Sequence, residues 1–517
     1  MEKKERKFDW IAMIVPLCLV LVLGALFIAL PDQSELVLNT VRGFLGDDMG
    51  MYYIVACLGA LGVSMYMAFS KFGKIKLGAL QKPEYSSFKW GAMIFTATMA
   101  ADILFYSLCE WALYSAEPHV QEMGNMQLWA STFPLFHWGP IAWSFYILLA
   151  VAFGFMLHIR GRTKQKFSEA CRPLLGGKVD GFWGKVIDIV AIMSLIAGTA
   201  TTFSLATPLL SAAAAQVFGL NATTTLAICI LLLIAVVYTI AVLTGMKGIS
   251  KLASYCVYVF FAFLFYFLFL GGETRYILET GLSSIGNLAQ NFIGLSTWTN
   301  PLRTDALGVN PDTFVQDWTV FYWAYWMAWC VATPFFIGMI SRGRTIKNTV
   351  IGGYCWGLAG TFTSFIILGN YGLAQQMKYG VDSAGAIAAS DYSSEAISAV
   401  IIGIFNTLPL PAFGLILLCI VMIMFYSTTF DALTMVVSSY SHTKLNPGQE
   451  PDKKVRAFWA ILFILFPIAL LFSENALYSL QSVAIIAAFP IGIIVTLIAI
   501  SFFKDASKYL KETKSGQ

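Results

Sequence analysis

Apolar stretches of about 17 to 25 residues recur along this chain, and that length of helix matches the roughly 30 Å hydrocarbon core of a bilayer. Twelve such runs lie near residues 10–30, 50–70, 90–114, 134–158, 184–216, 223–246, 252–272, 317–340, 349–374, 399–440, 457–473 and 478–503. Two of them, 184–216 and 399–440, exceed a straight crossing, so tilt, a break or an extension beyond the bilayer is expected in each. With 58% hydrophobic and only 12% charged residues, a water-soluble fold is excluded. Backbone polar groups in lipid must be satisfied within the segment, so the expectation is an all-α polytopic membrane protein with twelve transmembrane helices. The first run follows MEKKERKFDW without a small-residue cleavage site and reads as a retained helix. Twelve spans put all but four of the 33 Lys and Arg on the side of the N-terminus, the exceptions being Arg42, Arg275, Arg303 and Lys378. The positive-inside rule then places both termini in the cytoplasm.

The organisation expected is a single transmembrane unit over 1–517. A cytoplasmic start covers 1–9, two peripheral spans lie in 10–89, and two large membrane blocks occupy 90–272 and 317–503. An external segment spans 273–316, and a short cytoplasmic tail follows at 504–517. Within the external segment, Gly281 to Leu295 has the apolar spacing of an amphipathic surface helix, with an ordinary loop as the competing reading. The phosphate-binding G-x-x-x-x-G-K-[ST], a zinc H-E-x-x-H and a G-x-S-x-G nucleophile turn are all missing, which argues against an ATP-driven pump and against an enzyme. The nine cysteines stand singly in apolar stretches, as small core residues do. No cofactor and no nucleic-acid partner is expected.

The chemistry is concentrated in aromatic residues. In DWTVFYWAYWMAWC, Asp317 to Cys330, the side chains Trp318, Trp323, Tyr325, Trp326 and Trp329 crowd into three helical turns. Trp318 to Trp329 covers about 16 Å of rise, too deep for one headgroup layer. Trp323, Trp326 and Trp329 recur every three residues and so share roughly one face. FHWGPIAWSFY, Phe136 to Tyr146, supplies Trp138, Trp143 and Tyr146 as a second wall. Facing aromatic walls are the physical device for holding a quaternary ammonium, which donates no hydrogen bond and is attracted by ring faces at ~0.5 to 2 kcal/mol per contact. Packing between helices with no ligand is the alternative that composition leaves open.

WTVFYWAYW followed by ISRGRT (Ile340 to Thr345), together with FHWGPIAW, resembles the betaine/choline/carnitine transporter family over nearly the whole chain. The resemblance implies a secondary transporter of quaternary ammonium compounds, a homotrimer, in a bacterial cytoplasmic membrane. It implies the LeuT-like fold of two inverted five-helix repeats, spans 3–7 and 8–12. By motif position the substrate box becomes Trp138, Trp143, Tyr146 and Trp326, with Trp323 and Trp329 along the access path. Tyr325 departs from the family, which usually has Trp there.

Span 3 departs further. The Gly-x-Gly-x-Gly of the family's betaine carriers is replaced by Thr98, Ala100 and Asp102 within TATMAADILFY, which makes an unwound bend less easy. Asp102 falls near the bilayer midplane, where a carboxylate costs ~2.5 to 3.5 kcal/mol on insertion scales. The family's choline carriers resemble this chain in having an acidic residue there. A carboxylate would repel the acid group of betaine or carnitine, would neutralise choline, and would also take up a proton. For coupling, FYSTTFDAL (Phe425 to Leu433) resembles the family's sodium segment, so Phe425, Thr428 and Thr429, with Thr96 and Met99 of span 3, are the expected ion residues. Adjacent threonines more often bond back to their own helix. Lys251 stands where sodium-independent carnitine exchangers carry an arginine, and equally suits a helix end on the positive side. Glu110 is expected near the outer interface as a solvated carboxylate, Arg342 and Arg344 as topological anchors, and the short tail as too small for osmosensing. The reading is Na⁺- or H⁺-coupled uptake of choline, glycine betaine or a related trimethylammonium solute, with ion-independent substrate:product exchange of the carnitine/butyrobetaine type as the alternative.

Overall fold

The structure, a computed structural model, describes residues 8–97, 100–244, 246–303, 312–390, 392–443, 445, 450–470 and 477–515. Among these residues all regular structure is helical apart from two isolated antiparallel bridges, Phe8 with His442 and Lys76 with Thr345. Seven helices are long and apolar enough to cross a membrane, and up to ten spans result if each of three sharply bent helix pairs counts as one. Among the described residues, each of the twelve apolar runs of the sequence is largely helix. The chain is therefore a polytopic membrane protein.

Local chemistry sets where the helices begin and end. Trp10–Ala29 starts at Asp9, whose carboxylate accepts from the Ala12 amide at 3.3 Å. Phe182–Phe218 runs 37 residues, about 55 Å of rise and well beyond one bilayer core, and stops at Gly219 in the left-handed conformation (φ 67°). The long run 399–440 resolves into Ser394–Asn406 and Pro411–Tyr440. Leu410 turns the chain at φ 59°, and Pro411 restarts the helix at its first position, where a missing N–H costs nothing.

Span 3 corrects an expectation. Even without the glycines, it is two helices, Ser87–Ala97 and Ala101–Ala116, inclined by 66°. Ala100 is fully extended, and the second helix restarts with the Asp102 carboxylate accepting from the Ile103 amide at 2.9 Å. A polar side chain at the break thus satisfies one of the amides that a helix start leaves free, so glycine is not required there. A second broken span joins Val315–Trp329 to Pro334–Ile340 at 57°. In the segment 273–316 the amphipathic stretch is the middle of a 24-residue helix, Thr274–Thr297. It lies against Met126–His137 through Ser284 to Ser131 (2.7 Å) and Asn287 to Thr132 (3.0 Å).

Phe321–Trp329 is the centre of the molecule, with all nine residues buried against Leu477–Ser515, Pro140–His158 and Phe182–Phe218. Arg344, expected as a simple anchor, is buried instead. Its guanidinium lies 4.2 Å from the Trp90 ring centroid and donates to the Tyr85 carbonyl and to Asn348 Oδ1. Planar stacking with fixed donors explains why a charge is tolerated there.

Candidate functional site

The aromatic box is assembled by a helix break. Met126–His137 ends at Trp138, which has left helical geometry (φ −99°, ψ 19°), and Gly139 is extended before Pro140 opens Pro140–His158. Trp138 is thereby released from the helix surface, while Trp143 and Tyr146 share one face of the following helix at i and i+3. Trp326 enters from Phe321–Trp329. Its ring centroid lies 5.6 Å from Trp138, 5.4 Å from Trp143 and 5.0 Å from Tyr146, all strongly inclined. The Trp143 ring rests on Gly357 of Ile346–Ser364, where an added Cβ would come within 2.7 Å of it. The Nε1 donors of Trp143 and Trp326 are buried without a partner, an uncommon state for buried N–H groups and one that a ligand oxygen would relieve.

Asp102 joins this box through Tyr325. The Tyr325 hydroxyl donates to Asp102 Oδ2 at 3.2 Å and is hydrogen-bonded to the Thr202 hydroxyl, and its ring lies 6.3 Å from Trp138. The departure from Trp at this position therefore supplies a hydroxyl that holds the carboxylate. Asp102 also lies close enough to act electrostatically on Tyr146 of the box. An anion at the start of Ala101–Ala116 is favoured by the unpaired amides of that helix end.

Other expected residues lie elsewhere. Trp323 is fully buried and packs on Phe136 at 5.5 Å, and Trp329 packs against Gly198 and the Tyr325 ring, so neither ring meets Trp326. Helical positions three apart drift by about 60°, enough to send the three indoles into different neighbours. Thr428 bonds back to the carbonyls of Met424 and Phe425, both at 3.1 Å, and Thr96 to that of Met93 at 3.2 Å. Thr429 is half-buried beside them, and the Phe425 ring packs on Phe260. Met99 and Thr98 lie outside the described residues. Lys251 is on the helix Met246–Phe265, and its side chain is likewise outside them.

Glu110 is the main correction. It is completely buried, not solvated: Oε2 accepts from Trp138 Nε1 at 2.7 Å and Oε1 from the Tyr114 hydroxyl at 2.6 Å. Counting rise along the span placed it near an interface but could not show that Trp138 and Tyr114 close over it. The signal available in the sequence was Tyr106 and Tyr114 one turn to either side of Glu110, an aromatic stripe around a carboxylate.

Comparison with known proteins agrees with this geometry. Residues 11–511 match the family described as BCCT, betaine/carnitine/choline family transporter. The chain is 29% identical over 493 residues to the glycine betaine transporter OpuD of Bacillus subtilis, covering 94% of this chain and 92% of that protein. It is 27% identical to the carnitine transporter of Acinetobacter baumannii, covering 83% and 76%, and 26% identical to the high-affinity choline transport protein of Escherichia coli, covering 94% and 70%. A buried aromatic box between broken spans, in a chain matched almost end to end, leads to one conclusion: the protein is a transporter, not an enzyme, and belongs to the betaine/carnitine/choline transporter family.

Proposed function

We propose that this protein is a secondary active transporter that takes up choline or a closely related trimethylammonium solute by alternating access, coupled to Na⁺ or H⁺. The observation that carries the reading is the single ring, Trp326, in contact with three others of one box. Inclined aromatic faces around a common point bind a methylated cation without hydrogen bonds. Asp102, held by Tyr325 beside the box, favours a substrate with net positive charge over one carrying its own carboxylate. The box recognises the trimethylammonium head, and the carboxylate selects among the compounds that share it.

Twelve spans are proposed, and their arrangement as LeuT-like inverted repeats over 90–272 and 317–503 is supported by two of the three sharply bent helix pairs. One interruption opens each half, 66° at span 3 and 57° at span 8, and paired interrupted helices in corresponding positions mark a midplane site. A homotrimer in the bacterial cytoplasmic membrane, with both termini in the cytoplasm, completes the proposal. Thr428 and Thr429 are the sodium candidates, and Asp102 is the candidate proton carrier.

The test is uptake of choline, glycine betaine and carnitine into vesicles containing the purified protein, under an imposed sodium gradient, a proton gradient or neither. Choline preferred and driven by one gradient is the expected result. Preference for a carboxylated betaine would overturn the role of Asp102. Transport that ignores both gradients but requires preloaded substrate would replace coupled uptake by exchange.

A further inference from the structure

Behind Trp138 lies a chain of side chains that transport chemistry leaves unexplained. From the box inward it runs Trp138 Nε1 to Glu110 Oε2 (2.7 Å), Glu110 Oε1 to the Tyr114 hydroxyl (2.6 Å), Tyr114 to His137 Nδ1 (2.5 Å) and His137 Nε2 to Thr319 Oγ1 (2.9 Å). Glu110, Tyr114 and His137 are each 0% exposed and Thr319 only 3%. These groups come from three separate elements, Ala101–Ala116, Met126–His137 with its Trp138 cap, and the π-helical turn Val315–Val320.

With the His137 imidazole neutral, donor and acceptor chemistry gives this chain two complete arrangements. The indole N–H of Trp138 only donates, so Glu110 Oε2 accepts in both. In the first, Glu110 is a carboxylate, Tyr114 donates to it, His137 donates from Nδ1 to Tyr114, and Thr319 donates to Nε2. In the second, Glu110 carries a proton on Oε1 and donates to Tyr114, Tyr114 donates to His137 Nδ1, and His137 donates from Nε2 to Thr319. The second holds one proton more. Passage between them balances: a proton from water reaches Thr319, the Thr319 hydrogen forms the Nε2–H bond, the Nδ1 hydrogen moves to Tyr114, and the Tyr114 hydrogen forms the O–H bond on Glu110. Every polar atom of the chain stays paired at both ends, and no side chain has to move.

We propose that Glu110 is a positioning residue that sets the affinity of the aromatic box according to whether it holds this proton. The proposal rests on the box being the substrate site. With Glu110 ionised, its bond to Trp138 is charge-assisted, which fixes the indole and enriches the face it presents to a cation. With Glu110 protonated, that bond becomes an ordinary one and the box is weaker. The titratable groups facing Glu110 are Tyr106, Cys109 and Tyr114 on its own helix, His137 next to Trp138, and Tyr322 on Phe321–Trp329. Asp102 stands two turns away on the same helix. Tyr371 and Tyr426 belong to helices that also pack on Ala101–Ala116, whereas the packed segments Phe365–Gly369 and Ser383–Ala388 carry no titratable residue. Among the described residues no Lys or Arg forms an ion pair with Glu110.

The experiment is calorimetric binding of choline to the purified full-length protein at about pH 6 and about pH 8, with infrared observation of the carboxylic-acid carbonyl band. Choline is expected to bind about tenfold tighter at the higher pH, toward the lower end of the range for two linked sites. Glu110→Gln, which donates to Tyr114 as the protonated acid does, is expected to hold the weaker affinity at both pH values and to remove one infrared band. Tyr114→Phe, which cuts the chain, is expected to abolish the pH response as well, and Asp102→Asn to keep it. A wild-type pH response retained in Glu110→Gln, or one lost in Asp102→Asn alone, overturns the proposal, and so does a wild type without pH response. Should Glu110→Gln fail to fold, Tyr114→Phe decides on the same readout. If the wild type binds no trimethylammonium ligand, the substrate reading fails, and an infrared band that titrates in the wild type but is missing in Glu110→Gln still decides whether Glu110 holds the proton.

Discussion

Replacing Trp326 separates a cation-binding box from aromatic packing. Its ring meets the other three at 5.0 to 5.6 Å, so it forms a wall no other ring can replace. One desolvated cation–π contact is worth about 2 kcal/mol, and each 1.4 kcal/mol is about tenfold in affinity, so Trp326→Leu should weaken choline binding by about 30-fold. Trp326→Phe keeps an aromatic face of lower electron density and should lose about threefold. Leu also removes buried volume, so part of any loss could be packing alone. The neutral carbon isostere of choline, with a tert-butyl group in place of trimethylammonium, measures that part, because it has the same shape and no charge. Calorimetry with both ligands on wild type, Trp326→Phe and Trp326→Leu should show the 30-fold loss for choline and less than about threefold for the isostere. Equal losses for the two ligands would refute the cation–π reasoning and leave Trp326 as a packing residue.

Asp102→Gly should shift preference from choline toward glycine betaine, read as a crossing of their competition curves in uptake; unchanged order would remove charge selection from Asp102. Gly357→Ala would push a methyl against the Trp143 ring and should weaken choline binding several-fold, whereas Gly403→Ala, whose Cβ meets nothing within 4 Å, should leave binding intact and raise helix stability by about 0.5 to 1 kcal/mol. Glu117, beyond the end of Ala101–Ala116, is pushed up from 4.5 to about 7 by burial, against the hydrogen bonds from Tyr392 and Trp318 that pull it down. The folded protein therefore binds more protons than the unfolded chain between these values, and stability falls as pH rises through that window by about 3 kcal/mol. Glu117→Gln should flatten this part of a thermal-unfolding profile between about pH 5 and pH 8, and an unaltered profile would show that Glu117 does not carry it.

Much of this was legible in the chain because it depends on short-range properties. The membrane runs were readable because crossing a bilayer demands a length and a polarity that neighbouring residues show by themselves, and the described part of each run is largely helix. Trp138, Trp143, Tyr146 and Trp326 were readable because a motif keeps their spacing, and the Gly139–Pro140 break that frees Trp138 is written in the same motif. Spacing put Trp323, Trp326 and Trp329 on one face, but a shared helix face does not say which neighbour each indole meets, and of the three only Trp326 meets the rings of Trp138, Trp143 and Tyr146. The missing glycines made a bend in span 3 less easy to expect, yet the span is bent there, with the Asp102 side chain accepting from the Ile103 amide.

The sequence by itself determined a helical, membrane-embedded transporter with clustered aromatic residues, because hydrophobic length and aromatic clustering act locally. Tertiary structure alone decided the surroundings of its charges. Burial of Glu110 requires Trp138, Tyr114, His137 and Thr319 to converge from three elements, and Asp102 is held by a hydroxyl 223 positions away. A buried carboxyl is tolerated only where donors surround it, and which donors arrive is fixed by packing between helices and not by the residues beside it in the chain.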